Sequence, residues 1–299
     1  MSPTDIRQRL GRVGVWLASL RPATTEQERA AARRIEALGY GSLWAGEVIG
    51  GKEAFAHQAV LLAATDQLVT GTGIANIWAR HPATMQAGAA TLGAAYPGRF
   101  ILGIGVSHAS MVERSGQTYD RPYTRMFQYL DGMDRVTGDV PVTDIPVPRL
   151  LAALGPKMLA LARDRADGAH PYFVPVEHTP VARQILGPDP LLIPEQAVVL
   201  STDAEQARRV ARGHMSSYLR LPNYVNNLRR LGYGDEDLAA SGSDRLVDAI
   251  VAWGDEEQIA HRVRAHLEGG ADHVLLQPLG DLDSAVVQLE RLAPAVLAA

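Results

Sequence analysis

Apolar positions along the chain follow two alternating rhythms. Short β-branched or apolar runs, bounded by glycine and polar residues, are each followed by a stretch whose apolar positions recur every three to four residues, the helical spacing. Val13 to Leu17 reads as a strand. The helix after it opens at Thr25 with Glu28 three residues on, a capping-box pattern, and carries Ala31, Ile35 and Leu38 on one face. LGYGS ends that helix with glycine and leads into a strand at Ser42 to Trp44. The unit then recurs. Ala54 to Ala64 reads as helix and Leu68 to Ile74 as strand; Pro82 opens a helix with Met85, Ala89, Leu92 and Tyr96 in register, followed by a strand at Phe100 to Ile104. Tyr123 to Val136 is helical, Arg149 to Leu154 extended, Pro156 to Arg163 helical, and Gly168 to His170 a short strand. Glu195 to Leu200 is strand-like, and Thr202 with Glu205 caps a long helix predicted to reach about Leu231. A helix from about Glu256 to Leu267, a last strand at His273 to Gln277 and a helix from Ser284 to Leu292 close the pattern.

Eight strand candidates, each followed by a helix, require parallel pairing through crossovers. The expected fold is therefore α/β, a (β/α)8 TIM barrel formed as one domain over residues 1–299. No long linker marks a break between two doubly wound sheets. Two long connections, Val106 to Arg121 and the proline-rich Tyr172 to Pro194, are expected as loop insertions at the C-terminal face, as binding loops or lids.

In such a barrel, chemistry sits at the C-terminal ends of the strands. WAGEVIGG after the second strand places Glu47 at the mouth, VTGTGIANIWARHP follows the third, and GIGVSHASMVE after the fourth supplies Ser107 and His108. ALGPKM after the fifth combines a glycine, a proline at the first helical position and Lys157, an arrangement suited to an anion at a helix N-terminus or to a plain βα turn. LGIGVSH gives G-x-G-x-x-H rather than the dinucleotide fingerprint.

Composition narrows the chemistry. A net charge of −4 offers no general field for nucleic acid or an anionic membrane. The absence of cysteine excludes disulfides, thiolate nucleophiles and cysteine-ligated metals. No apolar run reaches membrane-spanning length and the first residues carry no apolar signal core, so a cytoplasmic protein is expected. The histidine spacings suit no metal site, and no G-x-S-x-G elbow is present.

GRVGVWL, EALGYGSLW, VTGTGIANIWARHP, GRFILGIGVSH, YTRMFQYLDGMD and GDEEQIAHRVRAHLEGGADHV, in this order, resemble the luciferase-like monooxygenase family, in particular its branch of oxidoreductases using the deazaflavin coenzyme F420. The resemblance implies a ring held at the strand C-termini and a non-proline cis peptide after the third strand, which maps to Gly73–Ile74. It places cofactor contacts at Gly73, Ile74, Asn76 and Ser107, and the cofactor phosphate region at Leu154, Gly155 and Pro156. It implies hydride transfer to or from a small organic substrate, with Glu47 and His108 as candidate catalytic proton carriers. Where members that oxidise alcohols commonly carry an Asp-His or similar pair, this chain has GEVIGG. Glu47 also fits a solvated loop carboxylate, and His108 a hydrogen-bonding role toward the cofactor or its neighbouring loop. Arg80 and His81 suit the cofactor tail or the loop itself, and Trp44, Trp78 and Tyr119 either a substrate cavity or the core. Helices comparable to Tyr218–Tyr233 meet a second subunit in the family, so a homodimer is expected. The alternatives are an FMN-dependent monooxygenase on the same fold, or a barrel that binds a flavin without catalysis.

Overall fold

The computed structural model describes residues 3–298 apart from 137–140, 142 and 144. Its strands are β1 (Val13–Trp16), β2 (Ser42–Ala45), β3 (Val69–Thr72), β4 (Ala75–Asn76), β5 (Phe100–Gly105), β6 (Arg149–Leu151), β7 (Gly168–Ala169), β8 (Leu191–Leu192), β9 (Glu195–Leu200), β10 (Val251–Gly254) and β11 (Val274–Pro278). The helices are α1 (Pro3–Leu10), α2 (Thr25–Ala37), α3 (Ala54–Leu62), α4 (Pro82–Ala95), α5 (Ala109–Arg114), α6 (Pro122–Asp134), α7 (Pro156–Arg165), α8 (His178–Leu186), α9 (Ala204–Tyr218), α10 (Pro222–Arg230), α11 (Asp235–Leu238), α12 (Asp244–Ile250), α13 (Glu256–Glu268) and α14 (Leu282–Val296). Among the described residues, no helix is long and apolar enough to cross a membrane.

All strand pairings are parallel, in the order β9-β11-β1-β2-β3-β5-β6-β7-β8, with β4 continuing β3 alongside β5. β8 and β9 are consecutive stretches of one extended segment: Ile193 N–H donates to Ala169 on one side, and Leu275 N–H donates to Pro194 on the other. That segment closes the ring, so the expected barrel of eight strand positions is present. β10 pairs with β9 outside the ring.

Trp16, Trp44, Val69, Ile101, Leu150, Leu191 and Leu275 fill the interior, and Ile6 and Leu10 of α1 join them. Gly71 leaves room for the Trp44 indole, whose ring atoms a Cβ there would overlap. The outer faces of the strands bury the helices in three further apolar clusters.

Several local expectations shift. The first capping box is built by Thr24 and Gln27, one residue before the expected pair, and α9 is capped by Asp203 rather than Thr202. The long helix toward Leu231 is two helices, because Pro222 lacks the N–H an uninterrupted helix needs and instead takes the first position of α10. The two long connections carry short helices, α5 and α8. α12 and β10, which the pattern did not predict, lie between α11 and α13.

Candidate functional site

The strand C-termini open into a cavity. Gly46 and Glu47 after β2, Gly73 and Ile74 after β3, Gly105 to His108 after β5 and Ala152 to Leu154 after β6 line one side of it. A second cavity shares Val106, Ser107, Ala152, Leu154 and Asn223 with the first, so the two adjoin. Lys157 and Arg230 line the second cavity, and its lining contains no carboxylate.

The β3 end is built around one carbonyl and one carboxylate. The Gly73–Ile74 peptide is cis. Trp16 Nε1–H donates to the Gly73 carbonyl at 3.0 Å, and a Cβ on Gly73 would overlap that indole. Glu47 lies beside the segment with both oxygens engaged. Oε2 accepts from Asn76 N–H at 2.7 Å and Arg80 Nη1 at 2.9 Å; Oε1 accepts from Ala54 N–H at 3.2 Å and Arg80 Nη2. The Arg80–Glu47 pair is almost wholly buried, and Arg80 also reaches Glu53. Asn76 is buried behind this wall, outside the cavity lining, where its Oδ1 accepts from Trp78 N–H at 3.0 Å. His81 caps α4 by accepting Ala83 N–H on Nδ1.

His108 stands at the start of α5 with its ring 5.5 Å from that of Tyr224. Burial lowers its pKa and a hydrogen bond with Asn223 opposes the shift, so it is neutral near pH 7. Ser107 precedes it with φ 55°, a left-handed conformation uncommon outside glycine and often found at functional sites. Leu154 and Gly155 form the turn into α7, where His178 Nε2–H donates to the Leu154 carbonyl at 2.9 Å. Glu47, Gly73, Ile74, Ser107, His108 and Leu154 therefore share the first cavity, and Gly155 and Pro156 lie in the second. Of the aromatics considered, Tyr119 lines the second cavity; Trp44 is interior, and Trp78 faces a separate depression with Arg80 and Arg125.

The opposite wall escapes the shortlist drawn from the first strands. Tyr172, Tyr218 and Tyr224 close over the cavity with Trp16, their rings 5.1 to 6.4 Å from one another along the series. Tyr172 O–H donates to Gln277 Oε1 at 2.9 Å and accepts the Tyr218 hydroxyl proton at 2.9 Å. Burial raises the Tyr172 and Tyr224 phenols well above their usual range, so both stay protonated. The apolar residues of Tyr218–Tyr233 are largely spent inside this chain, with Tyr224, Leu228 and Tyr233 in the cluster beneath α9 and α10. Behind the tyrosines, Glu195 is fully buried and accepts only Phe173 N–H at 3.1 Å; burial pushes its pKa up to about 8.

His170 lies between floor and wall. Its Nδ1–H donates to Ile193 at 2.7 Å, leaving Nε2 as an acceptor without a partner on the side of Gly73. Burial lowers its pKa to about 4. His170 directly follows Gly168–Ala169, the sixth barrel strand, so the strand-end rule could have found it.

The site thus sets a partly aromatic cavity at the strand ends beside a pocket that presents two cations. A family model described as luciferase-like monooxygenase matches residues 10–273. The chain belongs to that family. It is 24% identical over 207 residues to a 5,10-methylenetetrahydromethanopterin reductase of Methanolobus tindarius, covering 60% of this chain and 64% of the relative. It is 30% identical over 194 residues to a protein of Mycobacterium tuberculosis proposed to be a coenzyme F420-dependent oxidoreductase, covering 54% of each. In both cases the match spans less than two thirds of the relative's own length. A solved F420-dependent secondary alcohol dehydrogenase, in complex with an F420–acetone adduct, superposes with a TM-score of 0.76 at 18% identity, covering 95% of this chain and 98% of that one.

Proposed function

We propose that this member of the luciferase-like monooxygenase family is an oxidoreductase that uses coenzyme F420 to move a hydride to or from a small organic substrate. The observation that carries the reading is the two-part cleft: an apolar slot at the strand ends continues into a pocket lined by Lys157 and Arg230 and free of carboxylates among the described residues. That pairing matches a flat ring bearing a phosphorylated tail. The name given to the Mycobacterium tuberculosis relative favours the deazaflavin over FMN.

When bound, the deazaflavin supplies a ring carbon that takes or gives a hydride. Ile74, Val106 and Ala152 give the ring an apolar surface, and Lys157 and Arg230 hold the tail. Neutral His108, supported by Asn223, accepts or returns the substrate proton. Glu47, with both oxygens already occupied, positions Asn76 and Arg80 and so fixes the β3 end.

Titration of the purified protein with coenzyme F420 and with FMN, followed by ring fluorescence, tests the reading. Tighter binding of F420 is expected, weakened about 10-fold in Lys157→Ala or Arg230→Ala; tighter binding of FMN overturns the cofactor choice. Bound F420 that no substrate oxidises or reduces, with no response to His108→Ala, favours a binding-only barrel.

A further inference from the structure

Two charged side chains line the first cavity, Arg21 and Glu47, and only Glu47 is neutralised, by Arg80. Among the described residues, the Arg21 side chain has neither a hydrogen bond nor an ion pair, and its five N–H donors remain available. Its guanidinium lies over the Trp16 ring, 5.8 Å from the centroid, where the aromatic wall begins. The backbone on both sides is pinned: Lys52 Nζ donates to the Leu20 and Ala23 carbonyls, each at 2.8 Å, and is held in turn by buried Glu28. Arg21 is thus the unpaired cation of the lining, set at one end of an aromatic surface running through Trp16, Tyr172, Tyr218 and Tyr224.

We infer that the cavity binds a small carboxylate with a flat apolar body, with Arg21 holding the carboxylate. A planar guanidinium held over an indole by a cation–π approach, with no hydrogen-bond partner of its own, matches a carboxylate in a two-bond fork. Lys52 already fixes the backbone on both sides of the exposed Arg21, so on binding only that side chain has to be ordered. The aromatic wall supplies contact area to the body of the ligand and excludes carboxylates that lack one. That this ligand is the substrate rests on the function proposed above; that it binds does not.

Calorimetric titration of the cofactor-free protein with benzoate and with its uncharged counterpart benzamide tests the inference without turnover. The expected result is selective binding of benzoate, weakened about 10-fold or more by Arg21→Gln, partly restored by Arg21→Lys, and unchanged benzamide binding in all three proteins. Equal affinity for both probes, unchanged benzoate binding in Arg21→Gln, loss of both probes together, or no binding at millimolar concentration overturns it. A failed F420 titration leaves this result standing, so the two proposals fall separately.

Discussion

The two ends of the barrel each hold a fully buried histidine, and the two differ in one valence. At the closed end, His273 Nδ1–H donates to Gly11 at 3.0 Å and Nε2 accepts the Ser42 hydroxyl at 2.7 Å, while Ser42 Oγ accepts Trp44 Nε1–H at 2.9 Å. Every polar atom of that cluster is matched, and Gly14 provides the space it occupies. At the open end, His170 makes the same kind of bond through Nδ1 and leaves Nε2 unmatched beside the cavity. Burial drives both pKa values down to about 4. Burial and titration therefore do not distinguish these two histidines; they differ in that His170 lines the cavity and leaves Nε2 unmatched there.

Acid tests what the ends share, with the largest expected effect. His170, His214 and His273, all held near 4, and His266, near 3, are protonated in the unfolded chain below about 6.5 but remain neutral when folded. Their contribution to stability is complete above 6.5, and each loses about 1.4 kcal/mol per pH unit as the pH falls toward its folded value. Glu195 acts in the opposite sense: its raised pKa favours the fold at low pH, and that contribution fades as pH rises toward 8. Urea unfolding at neutral and mildly acidic pH should show a steep net loss on acidification. His273→Gln and His170→Gln should each flatten it by one proton; a flat profile in the parent would break the comparison at its base.

Ser42→Ala acts on the closed end alone. It strips a donor from His273 and an acceptor from Trp44, and should cost about 1–3 kcal/mol in urea unfolding while leaving F420 affinity unchanged. His170→Gln should show the smallest stability effect, about 1 kcal/mol or less, because only one hydrogen bond is at stake, yet weaken F420 binding several-fold. If Ser42→Ala weakened the cofactor as much as His170→Gln, the two ends would not be separable.

The barrel was legible because its strands are compact apolar runs and its helices are amphipathic, and each of the eight expected strands has a counterpart in the ring. β10 was missed because VAWG follows directly on α12, with no turn residue between Ile250 and Val251 to separate strand from helix. The first cap was misplaced by one because Thr24 precedes Gln27 and Thr25 precedes Glu28 at the same spacing; burial of Glu28 against Lys52 and His57 decides between them. Much of the floor of the cavity was readable from strand ends in order. The wall was not: Tyr218–Tyr233 was expected to face a second subunit, and Tyr218 and Tyr224, on two helices either side of Pro222, have no spacing that would place both over the cavity. Glu47 was found by position, whereas its engagement by Arg80 depends on how the chain returns between β4 and α4.

The break at Pro222 has a consequence for how this fold can change. Tyr218 on one side of it and Asn223 and Tyr224 on the other supply the roof, while the floor comes from the ends of β2, β3, β5 and β6. Selection could therefore redraw what the cavity accepts by rewriting one short, proline-hinged corner, leaving the strand-end floor untouched.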